Sequence, residues 1–142
     1  MIFQRTLKSS VSLKGIGLHS GAEAQMTLHP AAANRGIHFV RTDLENSAPI
    51  SAHYKNVVNT QLATTLGRGN VTISTVEHVL AALQGMGVDN ALIEVSGPEV
   101  PLMDGSSAPF AEAIQKVGTE VQMQTRPYLA LRRRVEVKLA EK

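Results

Sequence analysis

Thr60-Gln61-Leu62-Ala63-Thr64-Thr65-Leu66, then Gly67-Arg68-Gly69-Asn70, then Ser74-Thr75-Val76-Glu77-His78-Val79-Leu80-Ala81-Ala82-Leu83-Gln84-Gly85: along this stretch one repeat gives way to another. The Thr- and Leu-rich run predicts a strand, and the Gly-Arg-Gly-Asn run closes it. From Ser74 onward Val76, Val79, Leu80 and Leu83 recur at helical spacing, and Gly85 and Gly87 supply the left-handed residues that end a helix. Strands handing over to helices, without regular alternation of the two, predict an α+β fold rather than a doubly wound α/β sheet.

Upstream, Gln4 to Val11 reads as a strand, and Lys14-Gly15-Ile16-Gly17 breaks it into a loop ending in Leu18-His19-Ser20-Gly21. Ala24 to His29 alternates until Pro30 stops it, Ile37 to Arg41 is a further strand, and Ala48 to Ala52 is a weaker one. His53 to Asn59 has no period and reads as a loop. Downstream, Asn90 to Ser96 is a strand ended by Gly97-Pro98, and Ser107 opens a second helix with Pro109 in its first turn and Gly118 at its end. The expected architecture is one mostly antiparallel sheet packed against two helices. Thr119 to Thr125 lacks a period and reads as a linker, whereas Tyr128 to Leu139 alternates as one strand. The expected division is therefore a domain over residues 1–125 and the first strand of another over 126–142.

The 142 residues suit one domain with a true core, and 43% hydrophobic against 18% charged residues fits a folded chain. A net charge of +2 from well-mixed charges is too weak for an electrostatic nucleic-acid binder. With no cysteine, thiolate metal sites are excluded, so a metal must be held by His, Asp or Glu. Met1 to Lys8 carries no signal-peptide core, and no apolar run reaches the length of a membrane span, which together predict a cytoplasmic protein.

Two readings of Glu77 compete. In a capping box, Ser74 accepts from the amide three residues on and Glu77 reaches back to the Ser74 N–H. Alternatively, a carboxylate beside an imidazole suits a general base next to a metal ligand, since neighbouring helical side chains diverge by about 100° and approach one centre from two sides. A second His at position 82 would complete a helical zinc pair, but Ala82 stands there. His19, His29, His38 and His53 have no metal-site spacing. Gly15 to Gly21 has the glycine content to let backbone amides or His19 approach a phosphate, and equally that of a hairpin connection. Met103-Asp104-Gly105 reads as a turn.

The chain nevertheless resembles the bacterial UDP-3-O-acyl-N-acetylglucosamine deacetylase family of lipid A biosynthesis. The resemblance rests on Gln4-Arg5-Thr6-Leu7, Gly15 to Gly21, Arg41-Thr42-Asp43-Leu44, Ile73 to His78 with Ala81-Ala82-Leu83, Gly87-Val88-Asp89-Asn90, and Pro98 to Ser106. It implies the first of two similar α+β domains of a zinc hydrolase whose active site lies between them. Glu77 then corresponds to the general base and His78 to one of three zinc ligands. Leu18 and His19 lie near the substrate, as do Thr60 and Leu62 of the run at the cleft mouth. The other two ligands and a second catalytic His belong to the missing C-terminal domain, so this chain alone is expected to be inactive. The alternative is a non-catalytic nucleotide-sugar-binding module, or a half-enzyme that needs a partner chain.

Overall fold

Inward-facing apolar residues at every second position organise the largest sheet. We describe residues 1–138 of a computed structural model, in which the chain forms β1 (Phe3–Leu7), β2 (Val11–Ile16), β3 (Glu23–Pro30), β4 (Ile37–Arg41), β5 (Ile50–Ser51), a 3-10 turn (Tyr54–Asn56), β6 (Val57–Asn59), β7 (Thr65–Arg68), β8 (Val71–Ile73), α1 (Glu77–Gly85), β9 (Ala91–Val95), α2 (Ala108–Val117) and β10 (Thr119–Thr125). Five strands pair in the order β2-β3-β9-β4-β5, antiparallel except where β4 runs parallel to β9. The registers align Val11, Leu28, Ile93, Phe39 and Ile50 in one row across all five strands. The last four are buried, so a slip of one residue in any strand would turn its apolar set to solvent.

The α+β class and the two helices are as expected, but the strands form three sheets rather than one. Besides the five-stranded sheet there is a β6-β7-β8 meander and an antiparallel β1-β10 pair. One expected strand from Gln4 to Val11 is in fact two, because the chain turns between Leu7 and Val11 and β1 leaves the large sheet. β1 keeps contact with the N-terminal end of β9 through a single bridge, Thr6 to Asn90. α1 buries Val79, Ala82 and Leu83, and α2 buries Phe110 and Ile114; the two helices pack together in the same core as the sheet rows.

Thr119–Thr125 is β10, not a linker, with Leu7 opposite Thr119 and Phe3 opposite Thr125. Most of its side chains are exposed, so no apolar period marks it. Hydrogen bonds hold it instead. The Asn90 amide donates to Gln4 Oε1 at 2.9 Å and Gln122 Oε1 at 2.7 Å, Gln122 donates to the Ala31 carbonyl at 2.8 Å, and Gln4 donates to the Thr125 carbonyl at 3.1 Å.

The expected strand from Tyr128 does not form. Residues 126–138 carry no strand, and Leu129 and Leu131 are largely exposed; Leu139, the last residue of that expectation, lies outside the described residues. Among the described residues no strand pairs with Tyr128 to Lys138, and alternation alone cannot supply the missing ladder bonds. Arg126, at its start, is tied back by an ion pair with Asp89 at 2.7 Å.

Candidate active site

The turn into α1 brings the candidate groups together. Thr75 has φ +59, a left-handed conformation unusual for a β-branched residue, and Val76 follows as the N-cap, so α1 starts at Glu77. The capping box does not form. Ser74 Oγ pairs with Thr65 Oγ1 at 3.0 Å, and the Ser74 backbone bonds to Pro98 at 2.8 Å and Val100 at 3.1 Å. Glu77 Oε2 instead accepts from the Thr64 amide at 3.0 Å, while Val76 N–H donates to the Thr64 carbonyl at 3.3 Å. The carboxylate thus ties the loop before β7 to the helix, and among the described residues its Oε1 accepts no hydrogen bond.

His78 is half-buried on the first turn of α1, and among the described residues neither ring nitrogen has a hydrogen-bond partner. Asp104 lies close enough to feel its charge. The Ser106 hydroxyl and amide, at 2.8 and 2.9 Å, hold the Asp104 carboxyl below its ordinary pKa, and His78 adds a smaller electrostatic pull. These bonds make the expected turn at Met103-Asp104-Gly105, with φ +59 at Met103 and +83 at Gly105.

Thr60 and Leu62 are placed on a loop, since Thr60–Thr64 belongs to no strand and β7 begins only at Thr65. Leu62 has φ +65, which a strand cannot accommodate, and its side chain is 86% exposed. Leu18 and His19 are exposed on the β2-β3 connection, where Gly21 N–H donates to the Gly17 carbonyl at 3.0 Å and Gly21 itself has φ +64. Between that connection and the segment after β9 lies a mainly apolar cavity of about 740 Å³, lined by Ile16, Gly17, Leu18, Leu102, Met103 and Asp104 among others.

Sequence reasoning assigned no role to Glu99. It is 3% exposed and accepts from the His19 amide at 3.1 Å, the Ser20 amide at 2.8 Å and the Thr75 hydroxyl at 2.8 Å. Burial by itself would raise its pKa; the Ser20 and His19 amides, with the Ser20 and Thr75 hydroxyls, outweigh that and hold it at about 2. The one available signal was a lone acid inside the apolar run Val95 to Leu102. Two of the three remaining imidazoles serve elsewhere: His29 bridges Ser10 at 2.8 Å and Glu94 at 3.0 Å on the sheet, and His53 caps the 3-10 turn.

Against a zinc centre this donor set fits one corner. His78 offers an uncommitted imidazole nitrogen, but no three His, Asp or Glu groups converge among the described residues. No helix among them is long and apolar enough to cross a membrane.

The family model for UDP-3-O-acyl N-acetylglycosamine deacetylase (LpxC) matches residues 4–142. Proteins named UDP-3-O-acyl-N-acetylglucosamine deacetylase from Citrifermentans bemidjiense and Geobacter sp. (strain M21) are 52% and 51% identical, each over 96% of this chain and 45% of the relative. One from Myxococcus xanthus is 54% identical over 94% of this chain and 43% of the relative. The chain spans about half the length of the relatives it matches. With its half-buried Glu77-His78 pair at the head of α1 and a family match over nearly its whole length, the chain belongs to the UDP-3-O-acyl N-acetylglycosamine deacetylase family.

Proposed function

We propose that this chain is the N-terminal domain of a zinc-dependent, cytoplasmic deacetylase that hydrolyses the acetamide of UDP-3-O-acyl-N-acetylglucosamine to acetate and a free amine. The observation that carries the reading is the division of labour at Glu77: Oε2 is fixed by the Thr64 amide at 3.0 Å, which orients the carboxylate and leaves Oε1 open to take a proton. The adjacent His78 would hold the zinc through a ring nitrogen. Zinc, when bound, polarises the substrate carbonyl and makes water a better nucleophile. Glu77 accepts the proton of the attacking water, and the catalytic His of the second domain protonates the departing nitrogen. Leu18 and His19 on the β2-β3 connection, and Thr60 and Leu62 on the loop before β7, contact the substrate. We place the boundary of this domain at residue 125, with residues 126–142 opening a second domain that carries two further zinc ligands and a second catalytic His. Without that domain the chain is inactive.

The test is acetate release from this nucleotide sugar by the whole protein carrying this chain. Glu77→Gln is expected to lower kcat by about 100-fold or more while zinc content stays at the parent level, because the proton acceptor is lost and the ligand kept. His78→Ala is expected to lower zinc content as well as turnover. A parent protein that binds the nucleotide sugar without releasing acetate would leave a binding module and sink the reading.

A further inference from the structure

We infer that Glu99 is a positioning residue that holds the His19 connection and the Glu77-His78 turn in one fixed arrangement; its catalytic consequence rests on the deacetylase reading above, its structural one does not.

The two segments belong to different elements. His19 sits on the β2-β3 connection, whereas Thr75 leads into α1. Glu99 reaches both. Its carboxylate accepts from the His19 amide at 3.1 Å through Oε1 and 3.2 Å through Oε2, from the Ser20 amide at 2.8 Å, and from the Thr75 hydroxyl at 2.8 Å. Its own backbone is fastened beside Ser74 by a parallel bridge, with Ser74 N–H donating to Pro98 at 2.8 Å and Val100 N–H to Ser74 at 3.1 Å.

Two features of the backbone mark where this carboxylate sits. Thr75 adopts φ +59, a conformation a β-branched residue keeps only when its surroundings impose it, and its hydroxyl bond to Glu99 does so. Gly17 has no room for a side chain, because a Cβ there would collide with the Glu99 carboxylate and the Ser20 hydroxyl. Strain at Thr75 and close approach at Gly17 meet at one buried acid. Since Glu77 and His78 are the second and third residues beyond Glu99's Thr75 partner, their direction depends on that partner's backbone. A displacement near 1 Å at such a centre is enough to cost roughly 100-fold in rate.

The experiment uses the whole protein carrying this chain, with three variants. Glu99→Gln sets an NH₂ donor against donors and frees both segments, so kcat falls and KM rises, kcat/KM dropping roughly tenfold or more. Thr75→Val keeps the branched shape but removes the hydroxyl; the His19 bonds survive, so kcat falls and KM stays within about twofold. Thr75→Ser restores the hydroxyl and returns kcat to near the parent value. Amide hydrogen exchange provides a second reading independent of turnover: the His19 and Ser20 amides lose protection in Glu99→Gln and keep it in Thr75→Val. Unchanged protection of those amides in Glu99→Gln overturns the inference, as does a Thr75→Val variant whose only effect is on KM. If the parent releases no acetate, the deacetylase reading fails and the exchange result alone decides the role of Glu99. If Glu99→Gln does not fold, the Thr75→Val and Thr75→Ser pair decides it.

Discussion

Glu99 stays ionised because its hydrogen bonds favour the charged form more than burial opposes it. Its pKa is about 2 in the folded chain against an ordinary 4.5, so folding favours the deprotonated acid. A depressed carboxylate pKa stabilises the fold above the unfolded value, and that gain disappears as pH falls through the folded one. For a residue this buried the gain is on the order of 3 kcal/mol, present above pH 4.5 and eroding from there toward pH 2. Chemical denaturation between pH 6 and 3 is expected to show a steeper loss in the parent than in Glu99→Gln, and the difference between them to shrink with acidification. Asp43, held down by its Arg41 hydrogen bonds, and Asp104, held down by Ser106, also titrate low and are common to both proteins. The comparison therefore isolates Glu99. Parallel curves would remove the electrostatic account of its burial.

Elements whose position depends on apolar burial were legible; those held by polar contacts were not. β3, β9 and both helices bury alternate or helically spaced apolar residues, β4 buries Phe39 with Ile37 packed against the core, and those spacings stand in the sequence. β10 buries almost nothing and is fixed by Gln122, Gln4 and Asn90, whose role cannot be told from three scattered amides. The same holds for the candidate site. Glu77 and His78 were visible as an adjacent pair, but the capping-box reading needed Ser74 to face the helix, and its hydroxyl faces Thr65 instead. Leu62 read as part of a strand because composition cannot reveal a positive φ. The amide cluster behind β10 yields its own prediction. Asn90 is 1% exposed and serves Gln4, Gln122 and, through Oδ1, the Gly36 amide at 2.7 Å. Asn90→Ala removes three hydrogen bonds, one to the buried Gln4 and two to the half-buried Gln122 and Gly36, at about 0.5–1.5 kcal/mol each. A loss of at least about 2 kcal/mol in denaturant unfolding is expected, together with faster exchange of the β10 amides. A loss below about 0.5 kcal/mol would show that β10 is anchored by its ladder alone.

The whole chain sets a closed core beside a site at which, among the described residues, no three His, Asp or Glu groups converge. Its sheet rows and helices close over a continuous set of buried aliphatic side chains, whereas Leu18, Leu62, Leu129 and Leu131 stay exposed. His78 offers one imidazole; beside it Glu77 has Oε2 tied to Thr64 and Oε1 free among the described residues, while Asp104 is held by Ser106. A zinc centre poised for hydrolysis takes three protein ligands and keeps one open position, and each ligand removed weakens the hold on the metal. The 142-residue chain by itself is therefore expected to bind zinc weakly, and the whole protein to bind it tightly at one equivalent. Calorimetric zinc titration of both, with His78→Ala as the reference, reads this directly. In the whole protein His78→Ala is expected to weaken binding by about 100-fold, within the range that removal of one supporting group at a metal centre can cost. In the isolated chain the same substitution has little tight binding to remove. Tight one-to-one binding by the isolated chain, abolished by His78→Ala, would place the full ligand set within these residues and overturn the division of the centre between two domains.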